Sequence, residues 1–181
     1  MIYLKFTGGT CMKKGNINST VFKGGFLVLS VLIVSMGMTA CVTLQPASVT
    51  RNGKLSDYPY FVINSTETLT SGQGMTSNGI YSSINKTVNP KDVIAGYLIK
   101  KGLVVLPESQ EGLLHQTLIV NYGESGRRNV GLGYTIEVTI QFISAFSNQV
   151  IFLTTAEGIG DTEADDIREA ITRAMDALFE E

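Results

Sequence analysis

The chain predicts an α+β domain: a mostly antiparallel sheet of about four to five strands with two helices packed on one face. Three observations carry this reading. Aromatic and β-branched runs cluster or alternate over residues 58–63, 117–122, 134–142 and 150–158. Two stretches, 90–101 and 162–179, repeat their apolar residues at three to four positions. Glycine, proline, asparagine and serine separate the periodic segments.

Taken in order, "YPYFVI" at 58–63 reads as the first strand, followed by a Ser/Thr/Gly loop over 64–79 with a short strand at "GIYSS" beyond it. The first helix has an N-cap in Asn89, Pro90 as its first residue and Gly102 as a left-handed stop, with Val93, Ile94, Tyr97 and Leu98 as its apolar face. "LVVLP" predicts a short buried strand ended by Pro107, and a loop holding the only histidine, His115, leads to the strand "TLIVNY". From Gly133, Tyr134, Ile136, Val138, Ile140 and Phe142 alternate with Thr135, Glu137, Thr139 and Gln141, so one face is core and the other wet. "AFSNQ" turns the chain into "VIFLTTAEG", its antiparallel partner. The closing helix carries Ala164, Ile167, Ile171, Ala174 and Leu178 on one stripe.

At 181 residues the chain has room for one domain and a processed leader. The formal charge of -2 hides an asymmetry: residues 1–40 carry four lysines and no acid, leaving 10 basic against 16 acidic residues, or -6, for 41–181. Such a surface matches a phosphate backbone poorly, so nucleic acid is not expected as a partner. Residues 1–40 read as a signal peptide with Met12 as an alternative start: basic Lys13, Lys14 and Lys23, an apolar run from about Phe26 to Met38, then small residues up to Cys41. The apolar run is shorter than the roughly 20 residues of a membrane-spanning helix. Residues 41–57 are polar with two prolines up to Pro59, which predicts a tether, and residues 58–181 form the single domain.

Met38-Thr39-Ala40-Cys41 resembles the lipobox of bacterial lipoproteins. The resemblance implies that the Cys41 thiol is diacylglycerylated, that cleavage falls just before it, and that the chain is held to a membrane by acyl chains without spanning it. Val42 stands where the aspartate of an inner-membrane retention signal would be, which points to the outer membrane of a Gram-negative bacterium. Cys11 is then absent from the mature chain, which excludes an internal disulfide.

Two stretches could carry chemistry. In "GIGDTEADDI", Asp161, Glu163, Asp165 and Asp166 open the closing helix, where carboxylates gain about 0.3–1 kcal/mol each from the helix dipole and Asp161 can cap free amides. Asp161 with Asp165, or Glu163 with Asp166, are spaced to share a cation, but the run lacks the central glycine of a calcium loop. Gly158 and Gly160 read as the residues that let the strand turn sharply. "GESGRRNVGLG" at 123–133 has neither a Gly-Lys-Ser/Thr end nor a following helix, so it predicts a mobile hairpin loop with Arg127 and Arg128 at its tip, suited to a partner's carboxylate or phosphate. No nucleophile, cofactor or multi-imidazole metal set can be assembled around His115, and no cofactor is expected.

Over about 58–180, the helix end "LIKKGL", the strand "TLIVNYG", the long hairpin and the closing "DIREAITRAMDALF" resemble small envelope lipoproteins of Gram-negative bacteria of unknown function. This implies an envelope-located accessory role and supplies no catalytic residues. The expectation is a lipid-anchored binding or scaffold protein for an envelope protein or glycan, with no catalysis. The alternative is a metal-dependent or hydrolytic envelope enzyme built on Asp161 to Asp166. No feature specifies an oligomeric state.

Overall fold

The structure, a computed structural model, describes residues 43–77, 80–131 and 133–180. The expected signal peptide at 1–40 and Cys41 lie outside the described residues. The architecture is α+β: β1 (Ser48–Arg51), β2 (Tyr60–Ile63), β3 (Leu69–Ser77), β4 (Ile80–Val88), α1 (Pro90–Lys100), β5 (Val104–Leu106), β6 (Thr117–Val130), β7 (Gly133–Ser144), β8 (Val150–Gly158) and α2 (Glu163–Phe179). Six strands form one sheet in the order β1-β8-β7-β6-β2-β5, and β3 pairs with β4 in a separate ribbon.

The sheet is mixed: three of its five strand pairs are antiparallel and two are parallel. From β1 to β6 neighbours run antiparallel, but β2 is parallel to both β6 and β5. The sign of this in the sequence is "YFVI": a run buried at Phe61, Val62 and Ile63 without alternation is what a strand covered on both faces needs. β5 is less buried than expected because it is the edge strand, and Val104 lies half in solvent.

β7 supplies the clearest pattern. Ile136, Val138, Ile140 and Phe142 are fully buried, while Glu137, Thr139 and Gln141 on the opposite face are only partly covered. Tyr134 shares the parity of the buried set yet is exposed, because β8 ends at Gly158 opposite Ile136 and gives it no neighbour. Phe61, Phe142 and Phe152 meet edge to face across the core with ring centroids 6.3 Å apart. Onto this face α2 lays Ile167, Ala170, Ile171, Ala174, Met175 and Leu178, and α1 adds Ile94 and Leu98. Both helices therefore cover one side of the sheet, as the sequence implies.

Both helix boundaries have clear causes. Asn89 accepts a hydrogen bond from the Lys91 amide at 3.0 Å, Pro90 opens α1, and Gly102 stops it at φ +80°. At α2 the cap is Thr162, whose side chain accepts from the Asp165 amide. Asp161, expected in that role, stands one residue too early and is exposed.

Three further expectations are corrected. The segment expected to be a tether contains β1, which pairs with β8 from Ser48↔Thr155 to Arg51↔Phe152, so the folded unit starts well before residue 58. Within the expected loop over 64–79, residues 69–77 instead form the nine-residue strand β3, paired with β4 from Leu69↔Val88 to Ser77↔Ile80. Gly158 and Gly160 do not adopt left-handed backbone; they are glycines because α2 passes over them. A Cβ on Gly158 would lie 2.0 Å from the Asp166 carbonyl oxygen, and one on Gly160 would lie 2.4 Å from Asp165 Cβ.

Candidate functional site

Glu157, the only acid in β8, is where the chain's polar chemistry converges. Its residue is 3 % exposed, and its charge is met by Arg128 from β6 in a two-point contact: Nε to Oε1 at 2.7 Å and Nη2 to Oε2 at 2.6 Å. The Arg128 guanidinium is the main reason that the carboxyl is held down at about 2, and the Gln45 amide, donating to Oε2 at 2.9 Å, adds to it against the cost of burial. The two arginines around Glu157 also hold the incoming chain. Arg128 Nη2 donates to the Thr43 carbonyl at 3.2 Å, and Arg173 Nη2 from α2 donates to the Gln45 carbonyl at 2.8 Å. Arg173 Nη1 donates to the Glu157 carbonyl as well. Residues 43–45, β6, β8 and α2 are thus fastened at one point.

This corrects the reading of "GESGRRNVGLG" as a mobile loop. β6 runs through it to Val130, with a register shift between Glu124 and Gly126, and Arg127 and Arg128 pair opposite Ile136 and Thr135 of β7. Arg127 forms an ion pair with Glu163, lies 3.5 Å from Glu124 and covers the Tyr134 ring at 5.2 Å. Both arginines therefore serve contacts within the domain, with half of the Arg127 side chain still exposed.

The acidic run diverges. Asp165 accepts from Lys86 Nζ at 2.7 Å and from the Thr162 hydroxyl at 2.9 Å, and the Lys86 contact first, the Thr162 bond next, lower its pKa. Asp166 is buried and accepts from the Gly160 amide; burial raises its pKa, and the nearby Asp165 and Glu163 charges add to that. Glu163 turns to Arg127, and Asp161 faces solvent. Among the described residues no three His, Cys, Asp or Glu side chains come together as a metal set. His115 stacks on Phe146 with centroids 3.6 Å apart, a packing contact at the far end of the sheet.

At the other end of α2, a cleft of about 840 Å³ is lined by Arg51, Lys54, Leu55, Leu103, Leu178 and Phe179. Arg51 closes the helix end there by donating to the carbonyls of Ala177 at 3.0 Å and Glu180 at 2.9 Å.

No family model matches the chain. No curated protein matches it either. Solved structures similar to the chain include a point variant of the PelC dodecamer from Paraburkholderia phytofirmans, 14% identical, with 73% of this chain and 95% of that chain covered and a TM-score of 0.44, and the PelC dodecamer from the same organism, 14% identical, with 72% and 96% covered and a TM-score of 0.43. Likeness at this level assigns neither a family nor a role.

Glu157, Gln45, Arg173 and Lys86 are the residues that reading the sequence misses. Glu157 alone carries a sequence signal: a single carboxylate inside an otherwise apolar and hydroxyl-bearing strand must find a cation or be expelled from the core. Among the described residues no helix is long and apolar enough to cross a membrane.

Proposed function

We propose that the chain is a lipid-anchored protein of the cell envelope, placed in the outer membrane of a Gram-negative bacterium, where it binds or scaffolds an envelope protein or glycan and catalyses no reaction. The observation that carries this reading is Cys41, the last residue of Met38-Thr39-Ala40-Cys41, following a basic start and an apolar run too short to span. Acyl chains on one cysteine contribute about 0.8 kcal/mol per buried methylene, and two or three of them hold a soluble domain at a bilayer without a spanning helix.

The uncovered face of the sheet supports a binding role. Asn121, Thr139, Gln141 and Thr155 are partly exposed there and offer hydroxyl and amide groups of both hydrogen-bonding senses. Labelled palmitate should enter the chain in growing cells and be lost in Cys41→Ala. Label that persists in that variant would end the lipoprotein reading. Crosslinking from the uncovered face, followed by recovery of one envelope component that competes with free glycan or peptide, tests the binding role separately.

A further inference from the structure

We propose that the domain sits flush on the bilayer in one orientation, with the β6–β7 hairpin end, residues 129–131 and 133–134, against the lipid headgroups. The proposal rests on the lipid-anchor reading and adds to it the surface that meets the membrane.

A lipoprotein's first residues ordinarily form a flexible spacer, and the composition of residues 41–57 predicts one here. The structure leaves almost no slack. Thr43 is held by Arg128, Gln45 by both Glu157 and Arg173, and β1 is paired with β8 from Ser48 onward. Only two residue steps separate Cys41 from Thr43, and two steps of extended chain reach at most about 7 Å. A headgroup layer is itself about 5–8 Å thick. Acyl chains on Cys41 therefore bring the Thr43 contact to the headgroup boundary, and the rest of the domain follows as a body.

The surface at that boundary is set by register. Arg128, which touches Thr43, pairs with Thr135 three positions from the hairpin turn at Gly131, whereas β8 stops opposite Ile136. The hairpin end thus projects past β8 on the side where Thr43 meets Arg128. It presents exposed Asn129 and the partly exposed Tyr134 ring, an aromatic type favoured at membrane interfaces. Of the charges closest to it, Arg128 is paired with Glu157 and Arg127 with Glu163, while Asp161 stands exposed beside Tyr134 without an ion pair among the described residues. This end therefore approaches headgroups with one exposed unpaired carboxylate, Asp161, rather than with a block of them. The β7–β8 turn, residues 145–149, lies at the opposite end of β7, about 40 Å away for a twelve-residue strand.

The test uses the full-length chain, matured in cells and reconstituted in vesicles of phosphatidylethanolamine and phosphatidylglycerol that contain a lipid spin-labelled at its headgroup. A fluorophore is attached at Asn129→Cys or, separately, at Ser147→Cys. Emission should be quenched at position 129 and unchanged at position 147. A Gly/Ser linker of about twelve residues between Val42 and Thr43, with an r.m.s. reach of about 20 Å, should abolish the quenching at 129 without altering the fold. Equal quenching at both positions, quenching at neither, or quenching that survives the linker in palmitate-bearing protein overturns the orientation and leaves the lipid anchor standing. Absence of palmitate from the chain overturns both.

Discussion

Glu157 and Asp166 are both buried carboxylates near the junction of β8 and α2, yet their surroundings act in opposite senses. Glu157 has a guanidinium in two-point contact; Asp166 has one backbone amide and two acidic neighbours. Replacing Glu157 with Gln leaves Arg128 without its charge partner and should destabilise the fold by about 2 kcal/mol in urea titrations, the range for a hydrogen bond to a charged group. The loss stays below the about 3–5 kcal/mol of a fully enclosed pair because the Arg128 side chain is 38 % exposed. The folded pKa of Glu157, about 2, lies below the unfolded value of about 4.3, so its stabilisation is present above that unfolded value and is lost as pH falls through the folded one. The difference between the native chain and Glu157→Gln should accordingly shrink between those two pH values. Asp166 has the other sign: its raised folded pKa contributes stability only below the unfolded value of about 3.9 and loses it as pH rises. Asp166→Asn, which keeps an acceptor for the Gly160 amide, should raise the thermal midpoint near pH 7 and match the native chain in strong acid.

At the scale of elements, α2 and β8 depend on each other through two small details. Thr162→Ala removes the cap and should cost about 1 kcal/mol, whereas Asp161→Ala should stay within about 0.5 kcal/mol; denaturation of the two variants in parallel distinguishes them. Gly158→Ala forces a methyl group against the backbone of Asp166 and Ala170, atoms that cannot move without displacing the helix, and should cost at least about 3 kcal/mol or prevent folding. How far these elements were legible follows from how local their signals are. Asn89-Pro90 and Gly102 bracket α1 within fourteen residues, the β7 alternation is self-contained, and the α2 stripe needs only its own period. β1 could not be read the same way: "SVTR" is short, polar on its exposed side and a strand only because β8 lies beside it. The β3–β4 ribbon hides for a related reason, since its serines, threonines and glycines resemble a loop until the partner register is known. Arg127 and Arg128 were misplaced for the same cause, and with them the Glu157 contact, which joins residues far apart in the chain.

For the whole molecule, the decisive contact is the one that ties residues 43–45 to the domain. Replacing residues 43–47 with Gly/Ser removes the Gln45 and Thr43 hydrogen bonds and leaves the arginines to solvent. Thermal unfolding should then fall by several degrees, the shift that about 1–2 kcal/mol produces in a domain of this size. An unchanged midpoint would mean that the segment is a passive spacer after all. Removing β1 as well would turn β8 into an edge with open backbone groups, and light scattering should report association of the truncated chain.

The pairing of β1 with β8 also sets a clock. Gln45 meets Glu157 across 112 residues, so the first strand of the sheet waits for the last one to be made. During synthesis, which proceeds from the N-terminus at about 5–20 residues per second, β1 has no partner in the sheet for several seconds. A sheet whose first strand is the last to be paired closes only after the whole domain has arrived.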